Sequence, residues 1–224
     1  MNIWKFLISG GFLGLLFSSI LMLIVLYRLS PRLQSPRQRS LRDQHINHVP
    51  RYGGVALFWG FIGALSVVWW LPFDQRGFGL QFLSDNRFVG FCLGGLMAWG
   101  IGFADDILLL RARWKLAVQI GIALMAIVLG FEIHTVQLPF NQVINLGLWS
   151  WPVTVLWIVG IMNAVNLIDG LDGLASGLSI VALASLATIC WWQGQLFLLL
   201  LIMILGGSTL GFLSFNRPPA SIFM

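Results

Sequence analysis

Two short stretches hold most of the chemistry available to this sequence. The first is Gly102-Phe103-Ala104-Asp105-Asp106, followed by Arg111, Arg113, Lys115 and Gln119. Adjacent carboxylates repel, and each resists ionisation unless a cation intervenes. On a helix they point about 100° apart, so the two are expected to do different work. A hard cation such as Mg²⁺ takes oxygen ligands, commonly one or two carboxylates together with substrate phosphates. Asp105 and Asp106 fit that use. The rival and less favoured reading is an interfacial acidic pair neutralised by Arg111 or Lys115.

The second stretch runs from Asn163 to Ala175, Asn-Ala-Val-Asn-Leu-Ile-Asp-Gly-Leu-Asp-Gly-Leu-Ala. Asn163, Asn166, Asp169 and Asp172 recur every three residues, which makes consecutive members neighbours on a helical surface. Gly170 and Gly173 are expected to break or tighten the helix and let a ligand approach the backbone. A polar seam between helices is the rival reading. Amide and carboxylate groups this dense in so apolar a chain make it the most specific signal present.

Two further stretches are less specific. Asn47-His48-Val49-Pro50-Arg51-Tyr52-Gly53-Gly54 offers an imidazole, a guanidinium and glycine amides that suit an anionic group. The same residues also read as an interfacial histidine beside a turn. Ser214 to Met224 is a polar loop with nothing decisive in its chemistry alone.

The elements that must position these groups are membrane helices. Of 224 residues, 58% are hydrophobic and 9% charged, against about 25% charged in soluble domains. Such a chain cannot cover a globular surface with polar groups, so its solvent is largely lipid. About 20 apolar residues span a bilayer, and the segments 3–27, 52–71, 88–104, 116–131, 151–168, 174–192 and 196–213 meet or approach that length. The expected fold is an all-α polytopic bundle of about seven transmembrane helices in one domain covering 1–224. Between them, Val136-Gln137-Leu138-Pro139 and Val143-Ile144-Asn145-Leu146 flank Phe140-Asn141-Gln142 as a candidate hairpin outside the membrane. Cys92 and Cys190 lie in apolar runs without metal-type spacing and read as small buried hydrophobes.

Orientation follows from the cations. Arg28, Arg32, Arg37, Arg39, Arg42 and Arg51 follow the first helix, Arg111, Arg113 and Lys115 follow the third, and Arg217 follows the seventh, leaving Lys5, Arg76 and Arg87 opposite. The rich side is expected to be cytoplasmic, which puts the N-terminus outside. The cytoplasmic loops are then about 28–51, 105–115, 168–174 and 214–224, and every polar motif falls in one of them. The net charge of +5 is thus topological, with attraction for anionic lipid or substrate phosphate, and no nucleic-acid motif is visible. Trp69, Trp70, Trp149, Trp151, Trp191 and Trp192 fall at the expected outer helix ends as an aromatic belt. Gly94-Gly95 and Gly206-Gly207 suit close helix packing.

Taken in order, Pro50 to Gly54, Gly102 to Asp106 with Lys115-Leu116 and Gln119, and Asn163 to Ala175 resemble the polyprenyl-phosphate N-acetylhexosamine-1-phosphate transferases of glycosyltransferase family 4. Phe215-Asn216 and Pro219 to Met224 resemble that family's approach to its Gly-Asp-x-Gly-Ser motif. The nine-residue step from Asp106 to Lys115 looks more like the enzymes that begin wall teichoic acid, O-antigen or enterobacterial common antigen than the peptidoglycan translocase. The family has ten or eleven helices, a further aspartate and a His-rich cytoplasmic loop, so the resemblance implies that this chain lacks a C-terminal part.

What the resemblance implies is a multi-pass enzyme of the bacterial inner membrane with its site on the cytoplasmic face. It would transfer N-acetylhexosamine 1-phosphate from a UDP-sugar to a polyprenyl phosphate and release UMP, with Mg²⁺, or Mn²⁺ in its place. Asp105, Asp106, Asp169 and Asp172 become the catalytic candidates, and Asp105, Asp106 and Asp169 the metal ligands. Arg51, Gly53, Gly54, Lys115, Asn163 and Asn166 become substrate-binding candidates. A homodimer is a further expected assembly. The competing functions are a secondary transporter, whose site would lie nearer the bilayer midplane, and a non-catalytic scaffold.

Overall fold

A computed structural model describes residues 3–29, 52–70 and 86–223. Seven α-helices occupy the seven expected segments among these residues. They are α1 (Ile3–Ile24, extended by a π turn over Val25–Leu29), α2 (Gly53–Trp70), α3 (Asn86–Leu108), α4 (Ala112–Val128), α5 (Ser150–Ile168), α6 (Leu174–Trp192) and α7 (Leu196–Asn216). Five of the described helices are long and apolar enough to cross a membrane; α2, over Gly53–Val68, is a shorter apolar helix, and α4 has 17 residues. The architecture is that of an all-α polytopic membrane protein. Backbone satisfaction inside each helix is what lipid demands.

By contacts the chain separates into two compact units, one of residues 1–78 and 168–224, the other of 79–167. In the first, α7 is the axis: 56% of its most apolar window is buried, against 28% for α1. One end is apolar, with Leu7, Phe61, Ala64, Val68, Cys190, Leu199 to Ile202 and Ile204 forming a core. Lipid gives helices no hydrophobic reason to associate, so close packing through small residues must do it. A methyl on Gly207 would strike the Gly11 carbonyl oxygen, and one on Gly211 would lie 2.8 Å from that of Leu15. On α2, a methyl on Gly60 would sit 2.7 Å from Ser18 Cα. Gly206 meets nothing within 4 Å, so only one glycine of that pair does the packing. The opposite end of the unit is polar and holds the loop after α5.

In the second unit α3 and α4 form a helical hairpin over Leu109-Leu110-Arg111. Leu109 sits at φ 51, a left-handed conformation that costs a non-glycine residue about 1–3 kcal/mol and needs local compensation. The seam is tight at Gly90, where a methyl would lie 3.0 Å from Leu129 Cβ. Gly130, at φ 95, ends α4 and turns the chain out. Two short strands, β1 (Thr135–Gln137) and β2 (Val143–Asn145), pair antiparallel as expected, with Val136 opposite Ile144. Their start is fastened to α5: Ile133 N–H donates to Thr154 Oγ1 at 3.0 Å and the Ser150 hydroxyl donates to Ile133 O at 2.6 Å.

Candidate active site

In the second unit the adjacent aspartates occupy the last turn of α3, both partly buried. Asp105 is fully engaged. Its Oδ1 accepts the Leu110 N–H at 3.1 Å, and its Oδ2 forms an ion pair with Lys115 Nζ from the first turn of α4. The Asp105 carboxylate therefore supplies the compensation that the strained turn at Leu109 requires. Of the three expected metal ligands, Asp105 already has a cationic partner, and the pairing with Lys115 is the neutralisation weighed above.

Asn163 and Gln119 join α5 to α4 within the same unit. Asn163 Nδ2 donates to Gln119 Oε1 at 2.7 Å and to Val159 O at 2.8 Å, while Gln119 Nε2 donates back to Asn163 Oδ1 at 3.5 Å. This amide pair is a polar seam, and it engages both ends of the Asn163 amide. Asn166, one helical turn on, is exposed.

The three-residue repeat does not continue as a helix. As expected from the loop at 168–174 and the helix-breaking glycines, α5 ends at Ile168 and residues 169–173 form a turn. Asn163 and Asn166 lie on the helix and Asp169 and Asp172 beyond it, so only the single helical surface for all four is corrected. Gly170 disfavours helix, and Gly173 adopts φ 73, the left-handed region that favours glycine. Gly173 then serves as the N-cap of α6.

In the first unit this turn meets the segment after α7. Asp172 Oδ2 accepts the Ala220 N–H at 3.0 Å. The Gly173 N–H donates to Asn216 Oδ1 at 3.0 Å, and the Ser176 hydroxyl donates to the same oxygen at 3.1 Å. Gly53, at the start of α2, donates its N–H to Phe223 O at 2.9 Å. Thus the Gly53, Asp172 and Asn216 stretches, far apart in sequence, converge on one end of the unit. The Gly53 amide, expected to face an anion, is occupied by Phe223, and Gly54 follows it inside α2. Arg51 and the Asn47-His48 pair lie outside the described residues.

In the sequence Asn216 enters only within the Ser214 to Met224 loop and the Phe215-Asn216 resemblance, with no role of its own, and Ser176 lies outside the stretches named. Both are buried, with 2% and 0% of their surface exposed. The available signal was an asparagine closing a helix as apolar as α7, which is costly unless its amide is satisfied.

The donor chemistry of Asp105, Asp106, Asp169 and Asp172 is all carboxylate oxygen, with amide oxygens nearby in sequence at Asn163 and Asn166. Such oxygens are the ligand type of a hard dication that keeps water and phosphate ligands, although among the described residues no three His, Cys, Asp or Glu side chains are grouped to hold one.

The profile of glycosyl transferase family 4 matches residues 88–224. A Bacillus subtilis (strain 168) protein described as a probable undecaprenyl-phosphate N-acetylglucosaminyl 1-phosphate transferase is 34% identical over 215 residues, covering 96% of this chain and 57% of that protein. A Lactobacillus johnsonii phospho-N-acetylmuramoyl-pentapeptide-transferase is 35% identical over 179 residues, covering 78% of this chain and 56% of its own length. A Mycobacterium tuberculosis (strain ATCC 25618 / H37Rv) decaprenyl-phosphate N-acetylglucosaminephosphotransferase is 32% identical over 203 residues, covering 84% and 48%. The chain spans about half the length of these curated relatives.

Proposed function

The chain belongs to glycosyl transferase family 4, and on that premise we propose that it serves transfer of an N-acetylhexosamine 1-phosphate from a UDP-sugar to a polyprenyl phosphate. An oxygen of the lipid phosphate attacks the sugar-bound β-phosphorus of the donor. The bond from that phosphorus to the bridging oxygen breaks, and UMP leaves with the electron pair. Reactions of this kind need positioning and charge neutralisation more than covalent help from the protein.

Asp169 and Asp172, with Asn166, engage the diphosphate end of the donor. Asp106 orients the acceptor phosphate, with Asp105 held beside it by Lys115. Lys115 and Arg51 offset phosphate charge. Asp105, Asp106 and Asp169 would hold Mg²⁺ or Mn²⁺, which when bound supplies Lewis-acid neutralisation of the developing phosphate charge. The reaction takes place at the cytoplasmic face of the bacterial inner membrane, as the cation asymmetry supports.

The observation that carries this reading is the 34% identity across 96% of this chain to a relative described as an N-acetylglucosaminyl 1-phosphate transferase. It favours N-acetylglucosamine as the sugar and undecaprenyl phosphate as the acceptor. Family membership also disfavours the transporter reading.

The test is UMP release by the full-length protein in membranes, offered undecaprenyl phosphate and a panel of UDP-sugars. Turnover with UDP-GlcNAc that disappears in Asp106→Asn and Asp169→Asn supports the proposal. Wild-type turnover in both variants, or no turnover with any UDP-sugar, sinks it.

A further inference from the structure

Resting on the reading above, we infer that Asn216 is a positioning residue, which fixes the aspartate turn through hydrogen bonds from a buried amide and touches no substrate itself. The turn 169–173 has few devices of its own to hold it. It contains two glycines, Gly170 and Gly173, and leaves the helix at Ile168. Within it the Leu174 N–H donates to Leu171 O at 3.1 Å, and further restraint comes from Asn216 and the segment after it.

Asn216 does this with both ends of its amide. Oδ1 receives two hydrogens, from the Gly173 N–H at 3.0 Å and from the Ser176 hydroxyl at 3.1 Å. Nδ2 donates to Ile222 O at 2.9 Å, and Ile222 is itself 0% exposed. The segment 217–223 is folded back on α7 by the Ser221 N–H donating to Phe215 O at 2.8 Å. From there the Ala220 N–H reaches Asp172 Oδ2. Asn216 thus grips the aspartate turn with one atom and, with another, the strap that holds the Asp172 carboxylate. A buried asparagine whose acceptor takes two donors and whose amide meets a carbonyl leaves no satisfactory apolar replacement. The arrangement sets where the Asp172 carboxylate sits, and by chain continuity constrains Asp169 three residues before it.

The experiment is hydrogen exchange by mass spectrometry on the full-length protein in lipid nanodiscs, with UMP release measured in parallel. Asn216→Leu keeps the branched outline of the side chain, with two bulkier methyls in place of the amide oxygen and nitrogen, and removes every side-chain hydrogen bond. It is expected to raise exchange at least tenfold in both 170–176 and 218–223, with α4 unchanged, and to lower kcat at least tenfold. Asn216→Asp supplies an accepting oxygen in either protonation state. Because an ionised carboxylate cannot donate to Ile222 O, it is expected to restore protection of 170–176 but not of 218–223, and to recover only part of kcat. Ser176→Ala, a milder change, is expected to raise exchange severalfold in 170–176 alone. Unchanged exchange at 170–176 in Asn216→Leu, a rise spread over the whole chain, or equal defects at 170–176 in the Leu and Asp variants would each overturn the inference. If the wild type releases no UMP, the functional reading falls, while the exchange pattern still decides whether the clasp exists.

Discussion

Lys115, in the first turn of α4, is ion-paired with Asp105, in the last turn of α3, while the other oxygen of that carboxylate caps the Leu110 N–H between them. The carboxylate is 13% exposed and the ammonium 26%. The pair lies between the exposed limit, where ion pairs contribute little, and the buried one, where removing a single partner is costly. Asp105→Asn and Lys115→Ala are each expected to destabilise by about 1–3 kcal/mol. The double variant should cost clearly less than the sum. Thermal unfolding of the four proteins in one detergent checks this, and strict additivity would refute the pairing.

The two adjacent glycines of α7 offer a sharper test of packing. Gly207→Ala pushes a methyl into the α1 backbone and is expected to destabilise by about 1–3 kcal/mol. Gly206→Ala meets open space and is expected to be neutral or stabilising by up to about 1 kcal/mol, from helix propensity alone. The same melting measurement ranks them.

The amide pair between α4 and α5 makes a third prediction. Asn163→Ala and Gln119→Ala should each cost about 0.5–1.5 kcal/mol, the range for interhelical hydrogen bonds in membranes. Once one is gone, losing the other should add little. If Asn163 binds substrate beyond this pairing, the KM for UDP-sugar will rise in Asn163→Ala and stay unchanged in Gln119→Ala.

Removing divalent cations with EDTA is expected to lower UMP release by more than about 100-fold. Mg²⁺ or Mn²⁺ should restore it. Residual turnover above a tenth of the starting rate in chelator would remove the metal from the mechanism.

Much of the scaffold was legible because an apolar run of helix length has few other fates in lipid. The limits of that signal show in α4. The basic turn Arg111 to Lys115 is not apolar, so hydropathy placed the start at 116, whereas the helix begins at Ala112. The Asp105 carboxylate and the Lys115 stem make that turn part of the structure. At the other end Gly130 stops the helix before the apolar run is exhausted. The carboxylates were visible as rare charges, and their neutralisation by Lys115 was among the readings weighed. The clasp was not visible. Asn216 meets Gly173 across 43 positions of sequence, and no spacing rule reports a tertiary hydrogen bond. The turn itself was legible, because Gly170 and Gly173 and the loop expected at 168–174 marked the end of α5, while the helical period holds only for Asn163 and Asn166.

The glycine contacts of α1 and α7 also bear on how the protein is made. The Ser208 hydroxyl donates to Gly14 O across 194 residues of chain. At about 5–20 residues per second of synthesis, α1 leaves the ribosome roughly 10–40 s before its principal partner. During that interval its small-residue face, including Gly10, Gly11 and Gly14, lies open to any neighbouring helix in the bilayer. Variants that slow elongation between α1 and α7 should increase degradation without altering the stability of protein already folded.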